Sequence, residues 1–92
     1  MKPLQTLKAE LLDNPAVRTE YDALAAEFEL ARELIAARAR AGLTQAQLAQ
    51  RMGTTQSAVA RIESGRRAPS MRTVQRYASA TGTRAVVRLE TQ

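Results

Sequence analysis

The sequence contains no cysteine and no histidine. Without cysteine there is no disulfide framework and no thiolate metal site, which fits a reducing cytoplasm. Without histidine there is no catalytic triad, no imidazole base and no His-ligated metal. No Ser-centred motif or glycine-rich phosphate loop takes their place, so an enzyme, a cofactor and a metal are all unexpected. Aromatics are few, Tyr21, Phe28 and Tyr77, and none clusters with the arginines. Readers of single-stranded RNA stack bases on exposed aromatics, so that class is disfavoured. No apolar run approaches the roughly 18 residues that cross a membrane. The opening MKPLQTLKAELLDNP lacks the apolar block and cleavage site of a secretory signal. The expectation is a soluble cytoplasmic chain with no membrane partner.

What is present is a net charge of +5 spread unevenly over 92 residues, enough for one small domain and an arm. Residues 1–33 hold four basic residues against seven acidic ones; residues 34–92 hold ten arginines against Glu63 and Glu90. Every basic residue of the second part is arginine, whose planar fork suits phosphates and guanine edges. A basic body behind an acidic arm points to a polyanion partner for the body, although a solvated basic surface has the same composition.

Leu4, Leu7, Leu11 and Leu12 are spaced along one helical face in the arm, a short segment bracketed by Pro3 and Asn14-Pro15. Asn14-Pro15 reads as an N-cap and first helical position, and no breaker separates Pro15 from Gly42. The segment EFELARELIAARARAG forms helix readily, with Leu30, Leu34 and Ala37 on a common face. Thr44 then caps a short helix that buries Leu48, Ala49 and Met52. Gly53 supplies a turn, Thr55 caps a helix that buries Val59 and Ile62, and Gly65 ends it. After the loop Arg66-Arg67-Ala68-Pro69, Ser70 caps a last helix lined by Met71, Val74, Tyr77 and Ala78. The tail RAVVRLE alternates with the period of a strand, in which Val86, Val87, Arg88 and Leu89 would pair with a second copy, or else fray.

Two short capped helices about a glycine turn make a helix-turn-helix pattern. In that arrangement the first helix crosses the DNA backbone and the second enters the major groove. The opening Thr-Gln occurs twice, at Thr44-Gln45 and Thr55-Gln56, and places a hydroxyl and an amide at each helix start. Gln45 is read as a backbone contact and Gln56 as a base reader, since glutamine pairs bidentately with adenine. Ser57 and Arg61 project with Gln56 away from the Val59 side, and Thr55 is in reach of a phosphate or a thymine methyl. An ordinary pair of amphipathic helices would carry similar residues, and spacing alone leaves that open.

The run Gly42-Leu43-Thr44-Gln45, Leu48-Ala49, Gly53, Ile62-Glu63, Gly65 and Pro69-Ser70 resembles the XRE/Cro-type helix-turn-helix family over about half the chain. The resemblance implies base contacts by Gln56, Ser57 and Arg61, and backbone contacts by Gln45 and near Arg66; Thr55 is expected beside the base readers, and Thr44 and Arg67 beside the backbone contacts. It also implies a structural ion pair between Arg38 and Glu63. The implied fold is mainly α, a domain of four to five helices with one C-terminal strand pairing across a dimer. The order of parts, with Asn14-Pro15, Glu20-Tyr21, Glu27-Phe28-Glu29-Leu30 and the terminal strand, resembles HigA-type antitoxins of type II toxin–antitoxin pairs. That resemblance divides the chain into an arm at 1–27, a DNA-binding domain at 28–83 and a dimerisation strand at 84–92. It implies a homodimer that represses its own operon from a palindromic operator, nucleoid-associated there. It further implies neutralisation of a small basic RNase-type toxin through Leu4, Leu7, Leu11 and Leu12. The alternative is a stand-alone repressor of the same family without a toxin.

Overall fold

In the computed structural model, which describes Glu10 and residues 13–91, four helices follow one another: α1 Pro15–Arg40, α2 Gln45–Met52, α3 Gln56–Ile62 and α4 Met71–Ala80. Each begins where the local chemistry places a cap. Asn14 Oδ1 accepts from Ala16 N at 3.0 Å, with Pro15 at the first helical position. The hydroxyls of Thr44, Thr55 and Ser70 each accept the backbone N–H three residues on, at 3.1 Å. Gln47 completes a capping box, its Oε1 accepting from Thr44 N at 2.9 Å. Gly53, at φ +68°, closes α2 in the left-handed region that other residues enter at a cost of about 1–2 kcal/mol.

The core lies where α2, α3 and α4 meet the C-terminal half of α1. Leu34, Leu48, Ala49, Met52, Val59, Val74 and Tyr77 pack together, with Leu30, Leu43, Ile62, Ala80 and Ala85 partly buried against them. Tyr77, Leu48 and Val59 are fully enclosed. Met71, expected with this set, is instead half exposed, because the first turn of α4 stands at the rim of the domain.

The helix α1 is unbroken from Pro15 to Arg40, so a boundary drawn at 27/28 falls inside it. Only its second half is held by the domain: Ala31, Leu34 and Ala37 are its buried residues. The first half projects. The radius of gyration is 16.2 Å, against roughly 12 Å for a compact chain of this length.

The expected C-terminal strand is not formed. Residues 83–91 run on without helix or strand, and there is no strand among the described residues. Ala85 rests on the core, while Val86, Val87, Arg88 and Leu89 are exposed, Leu89 by 94%. The alternation along this tail sets which side chains share a face, but a ladder needs a neighbouring backbone, and none is offered here. The arm residues Leu4, Leu7, Leu11 and Leu12 lie outside the described residues.

Candidate nucleic-acid interface

The candidate site is built on α3 and the turn after it. α3 buries Val59 and half-buries Ile62, which leaves Gln56, Ser57, Ala60 and Arg61 on the outer side, all exposed. Ser57, Ala60 and Arg61 line an open depression together with Ser64, Arg66 and Arg67. Ser64 shapes this turn: its Oγ donates to Arg61 O at 2.7 Å and accepts from Arg66 N at 3.3 Å. Sequence reading passed Ser64 over, although a serine just past a helix end often makes such local bonds. Among the described residues no side chain bonds the guanidinium of Arg61, Arg66 or Arg67. Three arginines thus face solvent around one concave polar surface.

The ten arginines of the basic part do not form one class. Arg76 Nη2 donates to Met52 O at 2.6 Å and Arg51 Nη1 to Ala80 O at 3.3 Å, so each satisfies a carbonyl at the end of another helix. Arg88 pairs with Glu90 at 3.1 Å on the exposed tail.

Arg38 is tied inward as well. Its Nε donates to Glu63 Oε2 at 2.8 Å, Nη2 to Glu63 Oε1 at 2.9 Å and Nη1 to Leu43 O at 3.0 Å. One guanidinium therefore joins α1, the loop before α2 and the C-cap of α3. The Glu63 side chain is only 3% exposed, where an uncompensated carboxylate would be very costly. Gln45 Nε2 adds a bond to Oε1 at 3.1 Å, and the Tyr77 hydroxyl lies 2.7 Å from Oε2 and 2.8 Å from Leu34 O. Its single proton serves those two acceptors in turn. Burial by itself raises the Glu63 carboxyl, but the bonds from Arg38, Tyr77 and Gln45 outweigh it, and the group titrates below its ordinary range. Burial, reinforced by Glu63, pushes the Tyr77 phenol upward. The bond to Glu63 raises Arg38 further.

The geometry bears on the two glutamines differently. Gln56 is exposed at the start of α3, whereas Gln45 is half-buried and gives one amide N–H to Glu63. A primary amide carries two N–H donors, so the second N–H of Gln45 stays available to a backbone phosphate. Thr44 and Thr55 accept with their hydroxyl oxygens and keep their O–H for an outside acceptor.

A protein-family model described as helix-turn-helix matches residues 34–87, more than half of the chain. The chain belongs to the XRE-type helix-turn-helix family. Neither the search of curated proteins nor that of solved structures gives a match. The family is one of DNA-binding regulators and not of enzymes, which gives the α2–α3 pair its role: an XRE-type domain that binds DNA. The match opens at Leu34, inside α1, so the projecting half of that helix lies outside the XRE-type domain. Among the described residues no helix is long and apolar enough to cross a membrane.

Proposed function

We propose that this XRE-type regulator is a homodimeric repressor that reads a palindromic operator, and that it is the antitoxin of a type II toxin–antitoxin pair. The observation that carries operator reading is the outer face of α3. Gln56, Ser57 and Arg61 take no part in the core, and Ser57 and Arg61 share a concave surface with Arg66 and Arg67. In this reading Thr55, Gln56, Ser57 and Arg61 address base edges, while Thr44, Gln45, Arg66 and Arg67 meet the backbone. Arg61→Ala then relaxes preference at one position per half-site, and Arg66→Ala weakens binding to all sequences and lowers the salt slope by about one. Anisotropy titrations on the selected duplex and its single-base variants separate the two. Equal losses from both variants on every sequence would remove Arg61 as a base reader.

The antitoxin part rests on residues 1–33, an acidic segment bearing leucines that lies outside the matched domain. A small basic RNase-type toxin would accept acidic and leucine side chains together. The test is co-expression with the adjoining reading frame. A basic protein of that kind should stay bound to the full chain and be lost on deletion of residues 1–13, which removes Leu4, Leu7, Leu11 and Leu12 but spares the Asn14 cap. Operator binding with no such partner retained leaves the stand-alone repressor.

A further inference from the structure

Along α1 an apolar stripe runs from the projecting half toward the domain. Val17, Tyr21, Leu24, Phe28 and Ile35 recur at alternating steps of four and three, with a seven-residue step across Ala31. Leu24 and Phe28 are each 51% exposed, and Tyr21 and Ile35 are exposed as well. At 100° per residue the stripe sits about 100° around the helix from Leu34, the residue that faces the core. It therefore looks sideways over the first half of the helix and meets the domain at Phe28 and Ala31, which lie against Gly65. Ala31, at the position between Phe28 and Ile35, is small and buried next to Gly65. A stripe repeating every seven residues is the seam of a two-stranded coiled coil.

The charges beside the stripe select the occupant. With Tyr21 and Phe28 at the first seam position of each heptad and Leu24 at the second, one flank of the helix holds Glu20 and Glu27 and the other Arg18, Ala25 and Arg32. In a parallel pair each flanking residue of the first kind meets the residue five further on in the other strand. Glu20 then faces Ala25 of the second copy, and Glu27 faces Arg32. An antiparallel pair would instead set acid against acid and arginine against arginine, which is repulsive. The ion pair of Arg18 with Asp22 in this region spans 4.0 Å with both side chains 64% exposed; such pairs contribute little.

We propose that the stripe of α1 is the dimer interface of this protein, a short parallel coiled coil with a second copy of the same chain. It deepens the dimeric reading given above by naming the surface, and it is tested without DNA, so that a chain that pairs but ignores palindromes would sink operator reading alone. The helix is already formed in the monomer, held by its Asn14 cap and its buried second half, so pairing does not have to nucleate it.

Sedimentation of the full chain over a range of concentrations is the experiment. Leu24→Glu, at a site that supports no core packing, should raise the dissociation constant at least about tenfold with an unchanged circular dichroism spectrum. Glu27→Arg and Arg32→Glu should each weaken self-association. The double variant should restore it, and the two single variants mixed should prefer each other. Because the chain has no cysteine, Val17→Cys should cross-link on oxidation in a parallel pair. A monomer at all concentrations overturns the proposal. So does a dimer indifferent to Leu24→Glu and abolished by removing residues 84–92, which would place the interface on the tail. A dimer lost with Leu24→Glu but never cross-linked through Val17→Cys overturns the parallel arrangement.

Discussion

At the scale of single residues, the fold turns on one buried carboxylate. Glu63 collects Arg38, Gln45 and Tyr77 from three different elements. Removing one side of a buried pair leaves the other charge stranded. Glu63→Ala should therefore cost about 3 kcal/mol or more, a fall of about 10 °C or more in Tm for a domain of this size. An unchanged thermal midpoint would dismiss the pairing as a source of stability. The pH profile follows from the directions of the shifts. A carboxyl held low in the fold contributes stability above roughly pH 4, and that contribution is lost as pH falls through its folded value. A phenol held high contributes below roughly pH 10, and its contribution is lost as pH rises toward its folded value. Thermal midpoints should thus decline on both sides of a neutral plateau. Glu63→Gln should flatten the acid side and Tyr77→Phe the alkaline side. Gly65 offers a second test. It sits at φ +72°, and a Cβ there would fall 2.6 Å from Phe28 Cδ1, whereas at Gly53 a Cβ would meet nothing within 4 Å. Gly53→Ala should lose about 1 kcal/mol to backbone strain alone. Gly65→Ala should lose clearly more in chemical denaturation, and equal losses would mean that the Phe28 ring swings aside freely.

At the scale of elements, what was legible in the sequence was what is local. The Thr44, Thr55 and Ser70 caps, the turn at Gly53 and the uninterrupted run from Pro15 are fixed by residues within one helical turn of each other, and all four helices stand where those signals put them. The tail shows the limit of that logic. Its alternation is a local property, whereas a strand is a relation between two backbones, and Val86 and Leu89 find no second one among the described residues. The site was legible in part for the same reason. The outward set Gln56, Ser57 and Arg61 follows from the buried position of Val59 on a single helix. The engagement of Gln45 by Glu63, eighteen residues away in sequence, and the division of the arginines into helix-end donors and solvent-facing cations depend on which elements meet. Arg38 and Glu63 were brought together only through family resemblance. Arg76 supplies a check at this scale: Arg76→Ala should destabilise α2 against denaturant by about 1 kcal/mol and leave DNA affinity nearly unaltered, the reverse of Arg66→Ala.

At the scale of the whole molecule, a dimer reading a palindrome sets its two α3 helices one DNA turn apart, roughly 34 Å. Footprints should show two protected half-sites on one face of the duplex, and inserting about five base pairs between them should abolish binding by turning one half-site to the far side. The same organisation has a consequence for how the protein can change over generations. The side chains that face outward from α3 rest on nothing: Gln56, Ser57 and Arg61 make no contribution to the core, while the helix beneath them is held by Val59 and its end by Glu63. Substitutions at those three positions should therefore fold alike and differ only in the operators they prefer. A duplicated copy could drift to a new address in the genome one residue at a time, without passing through an unfolded intermediate.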